Sequence, residues 1–96
     1  MKSLGEIKIL LDKYKKELEN KYHIKSIGLF GSFVRGDATE FSDVDILVEF
    51  EKPIGLDFVT LGDELEEILG IRVDLVTLNS IKPNMLEYIR QDLVYV

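Results

Sequence analysis

The feature that most restricts the fold is a pair of short apolar runs, Ile24–Phe30 and Val44–Phe50, joined by a segment with fixed ends. Gly31-Ser32 stops the first run, and Asp43-Val44-Asp45 opens the second, with ten residues between Ser32 and Asp43. Each run has the length of a strand and is bounded by turn-forming or polar residues. Val44–Phe50 is apolar almost throughout and reads as a central strand covered on both faces. Ser32 is placed to cap a short helical turn through Phe33-Val34-Arg35, and Gly36–Ser42 reads as a loop.

Helical spacing surrounds these strands. Leu4, Ile7, Leu11, Tyr14 and Leu18 recur every three or four residues, which predicts a helix from Ser3 to Asn20 with Ser3 as its N-cap. Phe58, Leu61, Leu65, Ile68 and Leu69 predict another, stopped at Gly70 after Lys52-Pro53-Ile54-Gly55 breaks the chain. Ile71–Leu78 reads as a third strand containing Asp74. Pro83 opens a last helix through Arg90, and Leu93–Val96 forms a short edge strand. Helices alternating with strands predict an α/β domain, with helices packed on a small sheet. The 96 residues suit one domain with one core, and no repeat or linker divides them.

Composition narrows the chemistry. The chain is 46% hydrophobic and 31% charged, as expected of a globular protein. It has no cysteine, so disulfides and thiolate metal sites are excluded, which fits a reducing cytoplasmic setting. Met1-Lys2-Ser3-Leu4 leads into an amphipathic helix rather than a signal peptide, and no run is long enough to span a membrane. The net charge of −6 opposes binding of long nucleic acids, since that affinity comes largely from Lys and Arg neutralising phosphates. Lys13, Lys15 and Lys16 alternate with Asp12, Glu17 and Glu19 along a solvated helix face. A free nucleotide or a protein partner fits this surface better.

The carboxylates carry the chemistry. In a strand, Asp43 and Asp45 point to the same face, about 6–7 Å apart along the backbone. Such neighbours repel unless one is protonated or a cation lies between them. Oxygen ligands at a partly open site suit Mg²⁺, which keeps waters and takes further ligands from phosphates. A third strand beside the second adds Asp74, making a cluster able to hold two metals for in-line displacement at phosphorus. Gly31-Ser32 can offer backbone N–H groups to a phosphate. Arg35 reads equally as a phosphate ligand or as half of a structural ion pair.

Rival motifs are incomplete. Gly31 and Gly36 have the glycine spacing of a P-loop, but Asp37-Ala38 stands where Lys-Ser or Lys-Thr is required. The segment from Asp37 begins like a calcium loop, yet Ser42 replaces its glycine and Val48 its closing glutamate. Arg35-Gly36-Asp37 is a coincidental tripeptide. His23 reads as a helix-end residue, and Tyr14, Tyr22, Tyr88 and Tyr95 as packing residues.

Gly-Ser, ten residues and Asp-x-Asp together resemble the signature of the polymerase-β-like nucleotidyltransferases. Gly31–Thr39 and Ser42–Val48 look like the minimal nucleotidyltransferase (MNT) branch, as does the tail from Lys82-Pro83 to Tyr95. The resemblance implies that Asp43 and Asp45 are the metal-binding pair. Asp74 would be the third carboxylate, which helps bind metal and activates the attacking hydroxyl, and Gly31-Ser32 the turn holding the terminal phosphates. It implies Mg²⁺, ATP as substrate, and transfer of AMP to a tyrosine of a HEPN-domain toxin for which the MNT protein is the antitoxin. The chain shows no separate acceptor-binding domain, which favours a protein acceptor. The alternatives are an antitoxin that neutralises by masking, and transfer to a small molecule in a pocket completed by a partner chain.

Overall fold

Ser3 starts the longest helix by closing a capping box. Its hydroxyl accepts from the Glu6 N–H, while the Glu6 carboxylate accepts from the Ser3 N–H. The computed structural model of the protein describes residues 1–96, and in it this helix, α1, runs over Leu4–Tyr22. That is two residues past the expected end at Asn20. His23 ends it in the left-handed conformation (φ 56°), with its N–H donating to the Glu19 carbonyl. Then follow β1 (Ile24–Phe30), α2 (Ser32–Arg35), β2 (Val44–Phe50), α3 (Asp57–Leu69), β3 (Val73–Thr77), a 3-10 turn at Leu78–Ser80, α4 (Pro83–Arg90) and β4 (Val94–Tyr95). The element order is the one the sequence predicts, with β3 shorter than Ile71–Leu78 and the 3-10 turn added.

The four strands form one mixed sheet in the order β3-β2-β1-β4. β1 pairs antiparallel with β2 and with β4, whereas β2 and β3 run parallel. Parallel neighbours need a crossover, and α3 provides it. Directly opposed residues share a face. Ile27, Leu29, Val44, Ile46 and Val48 therefore form one surface, and all are essentially solvent-free. Ile7, Leu11 and Leu18 of α1 and Leu61, Leu65 and Leu69 of α3 cover it, making the main core.

The opposite face of the sheet is less covered. β2 was expected to be covered on both sides. On this second side it carries Asp45, Leu47 and Glu49, and only Leu47 is buried. An apolar-looking run thus has one dry face and one that holds a carboxylate near solvent. α4, through the buried Ile89, lies at the edge of this second face, beside Phe30 and Asp45. No helix is long and apolar enough to cross a membrane.

The C-terminal end of α1 is tied to α3 by side chains. The buried Tyr22 donates its hydroxyl hydrogen to Glu64, and Lys21 Nζ lies 3.2 Å from the same carboxylate oxygen. Burial, then the bond to Glu64, pushes the Tyr22 hydroxyl up to about 12, while the bond from Tyr22 pulls Glu64 down. Tyr22→Phe keeps the ring and deletes the hydrogen bond. It is expected to cost about 1 kcal/mol, measured as a lower urea midpoint with an unchanged slope.

Candidate active site

The site begins with a residue that lacks a side chain. Gly31 ends β1 at φ 81° and ψ −155°, a conformation that glycine alone adopts readily. A Cβ there would overlap Asp45 Oδ2 and lie 3.0 Å from its Cγ. The carboxylate of Asp45 therefore packs directly against the backbone of the turn. Gly31, rather than Ser32 as expected, is the cap of α2, and its carbonyl accepts from the N–H groups of Val34 and Arg35. Ser32 becomes the first helical residue and lines a cavity of about 260 Å³ together with Gly31, Arg35 and Asp45.

Register assembles the carboxylates. Asp45 is paired with Asp74 across the parallel β2–β3 ladder, so both side chains lie on the second face. Asp43 sits one residue before β2, on the same side by parity. Its Oδ1 is buried without a hydrogen bond, and Arg72 Nε lies 3.2 Å away without hydrogen-bonding alignment. Desolvation, then the neighbouring Asp74, then Asp43, push the Asp45 carboxyl up to about 6, opposed by Arg35. Asp43, Asp45 and Asp74 are gathered at one strand end, but no group of three or more acidic or histidine side chains closes into a metal cage. Asp74 crowds Asp45, while Asp43 has Arg72 as its ion-pair partner.

The donor set nevertheless suits a hard divalent cation. It is all oxygen, it includes a buried Asp43 oxygen with no aligned hydrogen bond, and its crowding is relieved by positive charge. Arg35 turns out to be the centre of an ion-pair cluster, with Nη1 2.9 Å from Asp92 and Nε 3.3 Å from Asp37. The hydrogen bond it donates to Asp92, then the one it donates to Asp37, raises its already high pKa. The structural ion pair is therefore formed, at the rim of the 260 Å³ cavity.

Met85, Tyr88 and Ile89 of α4 form another wall of this cavity, and sequence reasoning gave them no place in it. Their spacing of three and four marked one helix face, but nothing in the chain indicated that this face turns towards Asp45. A larger cavity of about 570 Å³ lies between the start of α1, residues 39–42 and residues 70–72. It contains none of the three carboxylates, so the smaller cavity is the better candidate on chemical grounds.

A cradle built from a glycine turn, with paired aspartates on adjacent strands, defines a class. The nucleotidyltransferase-domain family model matches residues 11–96, and the chain belongs to that family of enzymes. Protein adenylyltransferase MntA of Thermococcus cleftensis is 47% identical over 97 residues, covering 100% of this chain and 98% of that one. A Methanocaldococcus jannaschii protein provisionally called a protein adenylyltransferase is 50% identical and covers 100% of both chains. Among solved structures, one of a provisionally assigned minimal nucleotidyltransferase superposes with a TM-score of 0.76 at 31% identity, over 94% of this chain and 95% of the other. A Shewanella oneidensis complex of an MNT antitoxin with a tri-AMPylated HEPN toxin shares the fold, with a TM-score of 0.68 at 23% identity, over 93% of this chain and 70% of the other.

The Asp45 shift has a testable sign. Its folded-state value near 6 exceeds the ordinary 3.8, so the folded protein holds this proton more tightly than the unfolded chain. The resulting stabilisation is greatest at low pH and is lost as pH rises through about 6. Asp45→Asn is expected to stabilise the metal-free protein at pH 7.5. The full shift would correspond to about 3 kcal/mol, and solvent screening of this half-exposed group reduces it to about 1 kcal/mol. The gain should fade below pH 6 and vanish near pH 4 in urea titrations. Gly31→Ala, by contrast, is expected to cost about 2 kcal/mol or more at every pH, from backbone strain and displacement of Asp45.

Proposed function

We propose that this chain is a Mg²⁺-dependent protein adenylyltransferase that moves AMP from ATP to a tyrosine hydroxyl of a HEPN-type toxin, and so acts as its antitoxin. The observation that carries the reading is the register pairing of Asp45 with Asp74 against the Gly31 turn, with Asp43 at the same strand end. The protein adenylyltransferase from Thermococcus cleftensis, similar along its whole length, supports the activity. The Shewanella oneidensis complex, in which the HEPN partner is tri-AMPylated, supports the acceptor. A toxin–antitoxin structure with AMP-PNP, at 24% identity, supports a triphosphate donor.

In this reading Gly31 and Ser32 receive the terminal phosphates of ATP. Asp43, Asp45 and Asp74 would hold Mg²⁺, which when bound neutralises phosphate charge and the charge that builds on the leaving pyrophosphate. The acceptor oxygen attacks the α-phosphorus, an oxygen–phosphorus bond forms, and the bond to pyrophosphate breaks. Asp74 takes the proton of the acceptor hydroxyl. Arg35 lends positive charge at the cavity rim while Asp92 and Asp37 fix its orientation. Holding the two reactants in line supplies much of the remaining acceleration.

The test combines the purified chain, ATP labelled at the α-phosphate, Mg²⁺ and the candidate toxin. Label is expected on a toxin tyrosine. Asp43→Asn/Asp45→Asn should lower the rate on the order of 100-fold or more, given the losses seen even when groups supporting a metal ligand are removed. Mg²⁺ should also raise the melting temperature of the wild type but not of the double variant, because a cation bound only by the folded state stabilises it. An unlabelled toxin with the wild-type chain would sink the reading. A double variant that still neutralises the toxin in cells would move the function to masking.

A further inference from the structure

The wall formed by α4 differs from the rest of the cavity. Met85, Tyr88 and Ile89 lie on one face of that helix, at spacings of three and four. Ile89 is the buried anchor, at 7% exposure. Tyr88 and Met85 remain 62% and 51% exposed while lining the cavity that holds Gly31, Ser32 and Asp45. Water gains nothing from an aromatic ring and a thioether held beside a polar cradle, whereas a ligand with both charged and flat apolar parts can cover them. The charges divide the cavity in the same way. Arg35 is already engaged by Asp92, whose own position follows the end of α4. The α4 side thus adds a carboxylate and apolar surface, and is unfavourable for phosphates.

We propose that Tyr88, with Met85 beside it, is the surface on which the nucleobase of the bound nucleoside triphosphate stacks. The inference rests on the nucleotidyltransferase reading and extends it to the part of the substrate that does not react. The phosphates lie towards Gly31, Ser32 and the carboxylates, and the base extends towards α4. Every base presents a π-face, so Tyr88 sets nucleotide affinity more than base choice. The cavity volume of about 260 Å³ leaves room for part of a nucleotide only, which places the rest of the ligand along its open edge.

Calorimetric titration tests this with two probes in the presence of Mg²⁺: a non-hydrolysable ATP analogue, and inorganic tripolyphosphate, which has no base. Tyr88→Ala is expected to weaken the analogue about tenfold, within the range for loss of one base–aromatic stack, and to leave tripolyphosphate within twofold. Tyr88→Phe should retain wild-type affinity for both. Unchanged analogue affinity in Tyr88→Ala, or an equal loss for both probes, overturns the proposal. An unchanged analogue affinity with weakened toxin binding overturns it too and assigns Tyr88 to the acceptor. A wild-type chain that binds tripolyphosphate as tightly as the analogue removes the base site while leaving the transferase reading intact. A wild-type chain that binds neither removes both.

Discussion

The contact between the Asp45 carboxylate and the backbone at Gly31 is the constraint on which the site depends. It requires a residue without a side chain, at a positive φ, at the end of β1. It also requires β2 to pair with β1 so that Phe30 faces Asp45. One hydrogen-bonded register therefore sets the distance between the turn and the carboxylate. Any slip by one residue would move Asp45 to the core face, where a carboxylate among leucines is costly.

The core on the other face stabilises this arrangement. α1 and α3 bury the Val44, Ile46 and Val48 side of β2, and that dry layer holds the strand while its second face carries repelling acids. Crowding of Asp45 by Asp74 and Asp43 is destabilising in the metal-free protein. Positive charge placed among these oxygens would relieve that crowding. The burial of aliphatic side chains on the opposite face offsets the penalty at Asp45.

Much of this was legible in the chain because its signals are local. The Ser3–Glu6 capping box, the helical spacing of Leu61, Leu65 and Leu69, and the stop at Gly70 each need only neighbouring residues. Gly31 and Asp45 could be marked as noteworthy from spacing alone. The half-covered second face of β2 was not legible from its apolar run, because only the placement of α1 and α3 decides which side of the strand the helices cover. The partner of Arg35 was equally hidden, since Asp92 lies far along the chain and reaches it only through the position of α4.

The sequence by itself determined the elements, their order and the residue types able to hold phosphate and cation, because propensity, periodicity and turn chemistry act over a few residues. Tertiary structure decided which of those residues meet. The parallel pairing that sets Asp74 beside Asp45 spans the whole of α3. The approach of α4 that brings Tyr88 to the cavity spans still more. Contacts of that kind depend on how helices pack against a sheet, and no short stretch of sequence encodes that by itself.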